Sequence, residues 1–208
     1  LSTDKANAPV NLYGATKLCA DKLFVAGNSY SGVHKTRFSV VRYGNVLGSR
    51  GSVIPVFKKM ASSGSLPITD PRMTRFWITR EQGVKFVMKC LDRMEGGEIF
   101  VPKLPSMSIM DMARAVAPGV PTRVVGIRPG EKLHEVLVAR DEARVTVELD
   151  DGFVILSGFD RAMIERYLKR NGGKLCAEEF CYASDTNDWW LTETDLNGLI
   201  ESDTAEKR

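Results

Sequence analysis

The sequence predicts an α/β fold: the C-terminal half of a doubly wound parallel sheet, followed by a small α/β domain. Helical and buried-strand patterns alternate over the first hundred residues, and short alternating segments replace them beyond Leu133. No G-x-G-x-x-G turn with a following acidic residue occurs, although the first half of a dinucleotide-binding domain carries one. The 208 residues are 43% apolar and 26% charged, the balance of a chain with a packed core. A net charge of +3 from scattered basic residues points away from nucleic acid and membrane surfaces as partners. Apolar runs fall far short of the roughly 20 residues of a membrane helix, and the first residues lack a signal-peptide pattern, so a cytoplasmic protein is expected. The chain starts on leucine within a strand-to-loop pattern, which suggests a fragment.

The first helix is predicted from Val10 to about Ser29, with Leu12, Ala15, Leu18 or Cys19, Leu23 and Ala26 near helical spacing and Pro9 and Asn11 as start signals. Phe38, Val40, Val41 and Tyr43 then mark a buried strand, ended by Gly44, Asn45 and Gly48. VIPVFKKMASSG reads as a short helix with Pro55 in its first turns, and SLPITD as a brief extended piece. A helix from about Thr79 to Arg93 places Val84, Val87, Met88 and Leu91 at helical spacing, with Thr79 as cap. EIFVPKLP is a short strand, SIMDMARAVAPG a helix closed by Pro118 and Gly119, and TRVVGI a strand leading into the loop RPGEKLHE. LHEVLVA, ARVTVEL and FVILSG alternate as a small mixed sheet would, and a short capped helix begins near Thr192.

Chemistry concentrates in STDKANAPVNLYGATK. Tyr13 and Lys17 lie four apart on one helix, so the ammonium can sit beside the phenol and favour phenolate, making Tyr13 usable as a base. Thr3 could bond the same substrate oxygen. The adjacent Asp4 and Lys5 would titrate as a coupled pair. Cys19, Cys90, Cys176 and Cys181 form neither a disulfide framework nor a zinc pattern, and His34 and His134 lack partners at ligand spacing, so no metal is expected. Cys19 reads as a buried, inert thiol and Trp77 as a core aromatic; Trp189 and Trp190 fit either a core anchor or a subunit contact.

LSTDKA, NLYGATK, RYGNVLGSRGSV, MTRFWIT, GGEIFVPK and IRPGEKLHE run in order from Leu1 to Glu135. Together they resemble the extended short-chain dehydrogenase/reductase superfamily, and within it the inverting UDP-N-acetylglucosamine 4,6-dehydratases of pseudaminic acid synthesis. The resemblance implies a partial Rossmann-type NADP-binding domain over residues 1–100, segments near 45–75 serving the substrate side, and a mainly substrate-binding domain over 101–208. It implies that Tyr13 takes the proton of the sugar's 4-hydroxyl, Lys17 lowers the phenol's pKa and holds the nicotinamide ribose, and Thr3 orients the 4-oxygen. Lys5 would be the base at carbon 5 and Asp4 the acid for the departing 6-hydroxyl. NADP would meet Leu1, Ser2, Tyr13, Lys17, Val46, Leu47, Gly48, Ser49 and Arg50. UDP-N-acetylglucosamine would meet Asn45, Arg75, Arg128 and Glu131, with the two arginines on the pyrophosphate; Arg72 and Lys132 are assigned to the surface or to support. The resemblance also implies a homo-oligomer built partly through the Tyr13 helix. A nucleotide-sugar epimerase or reductase of the same superfamily would not need Lys5, and a truncated chain without the phosphate-cradling turn would be an inactive binding or assembly piece.

Overall fold

The computed structural model describes residues 1–49 and 53–205. Two compact units emerge, each gathered from three stretches. The first comprises Leu1–Tyr43, Val84–Lys103 and Val136–Ala183, and the second Gly44–Gly83, Leu104–Glu135 and Ser184–Arg208.

The first unit is built on a six-stranded sheet in the order Ser2–Thr3, Val40–Tyr43, Ile99–Pro102, Gly152–Ile155, Thr146–Glu148, Lys174–Leu175. The first three strands are parallel, with Ser2 opposite Arg42 and Val40 opposite Ile99. Val40, Val41, Ile99, Phe100 and Val101 are all buried, the continuous apolar run of strands covered on both faces. The alternating segments beyond Leu133 do not form a sheet of their own. Gly152–Ile155 joins Ile99–Pro102 antiparallel and extends the parallel sheet. Gly152 permits that junction, because a Cβ there would overlap the Val101 carbonyl oxygen. Val136–Val138 pairs separately with Tyr182–Ala183.

Two helices are rotated from the faces their periodicity suggests. In Leu12–Gly27 the buried residues are Gly14 and Asp21, while Leu12 and Leu23 are exposed and so is Cys19, which is therefore not the buried thiol its neighbours implied. In Arg80–Arg93, Phe86 and Cys90 are buried, and Val84, Met88 and Leu91 face outward. The Thr79 cap is reciprocal: its Oγ1 accepts from Gln82 N at 3.1 Å, and its N–H donates to Gln82 Oε1 at 2.9 Å. Arg161–Asn171 is a helix that the alternation did not reveal, since only Ile164 and Tyr167 are buried on it. Its signals are an Asp160 cap and Gly172 in the left-handed region, at φ 73°.

In the second unit Asn45–Val46 pairs parallel with Thr74–Ile78, itself antiparallel to Ser106–Ser108, and Leu66–Ile68 pairs parallel with Thr122–Val124. The strand Thr74–Ile78 is a second element the sequence reading passed over. Its core holds Trp77 among Leu47, Ile54, Met107, Met112 and Leu196. Ser108 caps the helix Ile109–Val116, accepting from Asp111 N. Among the described residues no helix is long and apolar enough to cross a membrane.

Burial pushes the Cys90 thiol from 9.0 up to about 12 and that of Cys176 to about 11, and raises the Tyr167 phenol as well. These groups keep their protons in the folded state after the unfolded chain has lost them, so alkali favours unfolding. Urea unfolding across a pH series is expected to show stability falling above pH 9, by about 1.4 kcal/mol per pH unit from Cys90 alone until about pH 12. A Cys90→Ala variant should show a shallower alkaline slope; an unchanged slope would assign the loss to other groups.

Candidate active site

Ser2–Thr3 ends at the 3₁₀ turn Asp4–Ala6, which the Thr3 side chain caps by accepting from Lys5 N at 3.4 Å. Thr3 Oγ1 donates to Asp4 Oδ1 at 3.0 Å, and Lys5 Nζ donates to the same oxygen at 2.9 Å. The Asp4 side chain is fully buried and that of Lys5 partly open. Asn7 N–H closes the turn on the Asp4 carbonyl.

The helix Leu12–Gly27 packs on this turn. Asn11 caps it, its side chain accepting from Gly14 N at 2.8 Å, which fixes the first turn and with it Tyr13. Tyr13 is 54% exposed and Lys17 half-buried one turn later. Tyr43, opposite Thr3 across the parallel pair, has its phenol raised above 10.0, first by burial and then by the Tyr13 charge. Thr3, Asp4, Lys5, Tyr13, Lys17 and Tyr43 thus share the carboxyl ends of two adjacent parallel strands and the start of the next helix, where open α/β sheets bind ligands. Tyr43 was legible only as a strand residue. Ser2 is buried beside Arg42, and Leu1 is exposed.

The other expected site residues lie in the second unit. Asn45 sits opposite Trp77 in the parallel pair, and Val46 is half-buried. Leu47 turns its side chain into the core, which leaves only its backbone for a ligand. Gly48 takes a φ of 67° and is exposed with Ser49; Arg50 lies outside the described residues. Arg75 does not point its fork outward. Its Nη1 donates to the Thr74 and Leu133 carbonyls at 2.7 and 2.9 Å, and its Nη2 to the Lys132 carbonyl at 2.9 Å. It therefore ties down the loop that carries Arg128 and Glu131, where Glu131 Oε2 accepts from the exposed Arg128's N–H at 3.1 Å. Lys132 is not a surface residue, being drawn in toward buried Glu135 at 3.5 Å, whereas Arg72 is exposed and paired with Asp70. His134 Nδ1 shares a 2.9 Å hydrogen bond with Thr74 Oγ1, which also meets the buried Ser184 Oγ at 2.7 Å. Thr74 and Ser184 support this loop; Thr74 falls within MTRFWIT without a role of its own, and Ser184 lies in no motif. Trp77 is a core residue, and Trp189 and Trp190 are partly exposed.

Residues 1–157 match the family described as polysaccharide biosynthesis protein. The chain belongs to that family. Within the polysaccharide biosynthesis proteins, it is 52% identical over 206 residues to the protein named UDP-N-acetylglucosamine 4,6-dehydratase (inverting) from Campylobacter jejuni subsp. jejuni serotype O:23/36, covering 96% of this chain and 62% of that relative. It is 35% identical over 86% of its length to a UDP-glucose 4-epimerase of Rickettsia canadensis, of which it covers 58%. The X-ray structure of Pen from Bacillus thuringiensis superposes with a TM-score of 0.82 at 31% identity, over 98% of this chain and 61% of that one. The dTDP-glucose 4,6-dehydratase DesIV of Streptomyces venezuelae, solved with NAD and TYD, shares the Rossmann-type fold at TM-score 0.57 and 19% identity, over 82% of this chain and 59% of its own. The chain spans 62% of the length of its Campylobacter relative.

Proposed function

We propose that the protein carrying this sequence is an NADP-dependent UDP-N-acetylglucosamine 4,6-dehydratase that inverts carbon 5, supplying a 4-keto-6-deoxy sugar nucleotide for pseudaminic acid or a related surface glycan. One observation carries the reading: the Thr3–Asp4–Lys5 cluster packed under the Tyr13 helix, in a chain 52% identical to a protein of that name. The donor set of the first unit suits a pyridine dinucleotide, with a phenol and an ammonium one helical turn apart. Within the first unit, Tyr13 and Lys17 would hold it. The chemistry NADP supplies when bound is uptake of a hydride from carbon 4 and its return at carbon 6.

Tyr13 takes the proton of the 4-hydroxyl, with Lys17 favouring the phenolate and Thr3 orienting the oxygen. The 4-keto group then acidifies the proton at carbon 5. Lys5, as the neutral amine, removes that proton, and Asp4, as the acid, gives its own to the departing 6-hydroxyl, which leaves as water. The pair, 2.9 Å apart, so ends elimination as lysinium and carboxylate. Moving one proton back across that contact restores the neutral pair, while carbon 5 takes a solvent-derived proton on its opposite face and Tyr13 releases its proton to solvent. Arg128, Glu131, Asn45 and the loop tied by Arg75 would receive the UDP part.

The test is mass spectrometry of UDP-N-acetylglucosamine incubated in deuterium oxide with the protein and catalytic NADP. Loss of one water with a solvent deuteron at carbon 5 is expected, and Lys5→Ala should abolish both. Unchanged mass would overturn the reading, and an altered sugar without water loss would replace it with an epimerase.

A further inference from the structure

Asn7 lies just past the Asp4–Ala6 turn, and its side-chain Nδ2 donates at 3.0 Å to Glu142 Oε2, 135 residues away in sequence. The same Oε2 accepts from Arg42 Nη1 and from Ala139 N, both at 3.0 Å, and Oε1 accepts from Arg42 Nη1 and Nη2 at 3.2 Å. Arg42 is fully buried; it also donates to the Leu137 carbonyl at 2.9 Å and reaches Asp21 of the Tyr13 helix at 3.5 Å. One carboxylate therefore joins the reactive turn, the central parallel strand and the Ala139–Ala143 segment, and through Arg42 it reaches the helix that carries Tyr13 and Lys17.

Backbone geometry beside Asn7 shows that something holds the turn. Ala8 has a φ of 42°, in the left-handed region an alanine seldom enters, and it precedes Pro9, which further restricts it. Such a conformation persists only where the surroundings over-determine it. The Asn7–Glu142 hydrogen bond fixes the chain one residue before the strain, and the Asn11 cap fixes it three residues after.

We propose that Glu142 is a positioning residue: clamped by Arg42, it holds Asn7 and so sets the Asp4–Lys5 turn against the Tyr13 helix in the geometry elimination requires. The proposal rests on the function assigned above. Both oxygens of Glu142 only accept, and every group facing them donates. A glutamine must turn its NH₂ toward a donor whichever way it is placed, so Glu142→Gln breaks either the Arg42 fork or the Asn7 link at nearly constant volume. Asn7→Ala removes the link and leaves the Arg42–Glu142 pair in place.

The experiment measures turnover, KM and amide hydrogen exchange for both variants in the protein carrying this sequence. The expected result is a kcat lowered by about 10- to 100-fold, the scale of catalytic groups displaced by up to an ångström, with KM for the sugar nucleotide unchanged because the described partners of Glu142 all belong to the first unit. The Lys5 and Asn7 amides should exchange faster in both variants. A kcat lost in Glu142→Gln but retained in Asn7→Ala would overturn the proposal and leave Glu142 a stability residue only, as would unchanged exchange at Lys5 and Asn7. If the unaltered protein releases no water, the functional reading fails by itself, and the exchange data alone decide whether the clamp orders the turn.

Discussion

Replacing Arg42 with alanine is expected to lower the stability of the first unit by about 3–5 kcal/mol in urea unfolding, enough to unfold a marginal domain. The guanidinium has almost no exposure, and Asp21 and Glu142, its two carboxylate partners, have side-chain exposures of 3% and 19%. Removing the cation leaves two carboxylates with little water and without the guanidinium they share, which costs far more than the pair's own net contribution. Arg42→Met combined with Asp21→Asn and Glu142→Gln should cost less than Arg42→Ala alone, because no buried charge is stranded. A triple variant weaker than the single one would mean that the fork's geometry, and not charge balance, dominates.

This cluster also marks the boundary of what the sequence made legible. The parallel strands were readable because burial on both faces leaves an unbroken apolar run, as in Val40, Val41 and Ile99–Val101. Thr3, Asp4, Lys5, Tyr13 and Lys17 stand out because they fall within fifteen residues; helical spacing pairs Tyr13 with Lys17, whereas the roles proposed for Asp4 and Lys5 come from the family resemblance. Glu142 is a hundred residues from Arg42 in sequence, and a lone glutamate after a strand has no pattern that predicts its partner. Helix facing failed for a related reason. Leu12 and Leu23 have the right period for a core stripe, yet the buried side of that helix belongs to Gly14 and Asp21, chosen for close approach and for Arg42. Periodicity reports that one face is apolar and cannot say which face the sheet will take. The pairing of the segments beyond Leu133 with Ile99–Pro102 was likewise a matter of register between distant strands, which alternation alone leaves open.

Gly14→Ala is the change for which local propensity and packing give opposite answers. Alanine is favoured over glycine within a helix by about 1 kcal/mol, so on propensity the variant should be more stable. At this position, however, the added Cβ would overlap the Lys5 carbonyl oxygen and come within 2.9 Å of Pro9 Cβ. Both neighbours belong to the backbone or to a ring, so neither can swing aside as a long side chain would. Overpacking of this kind costs about 1–3 kcal/mol, which outweighs the propensity gain. The shift must be taken up between the Tyr13 helix and the Lys5 turn, the two pieces whose spacing the proposed reaction depends on. A net destabilisation of about 1–2 kcal/mol is expected, with kcat reduced by about 100-fold and sugar-nucleotide KM little changed. Gly83, near the start of the helix Arg80–Arg93, provides the contrast: its Cβ would meet nothing nearer than Ile78 Cδ1 at 3.8 Å. Gly83→Ala should therefore gain up to about 1 kcal/mol and keep full turnover. Equal effects at the two glycines would mean that the helix and the turn adjust to each other more freely than their contact allows. A loss confined to Gly14 would tie catalysis to the closeness of that one backbone approach.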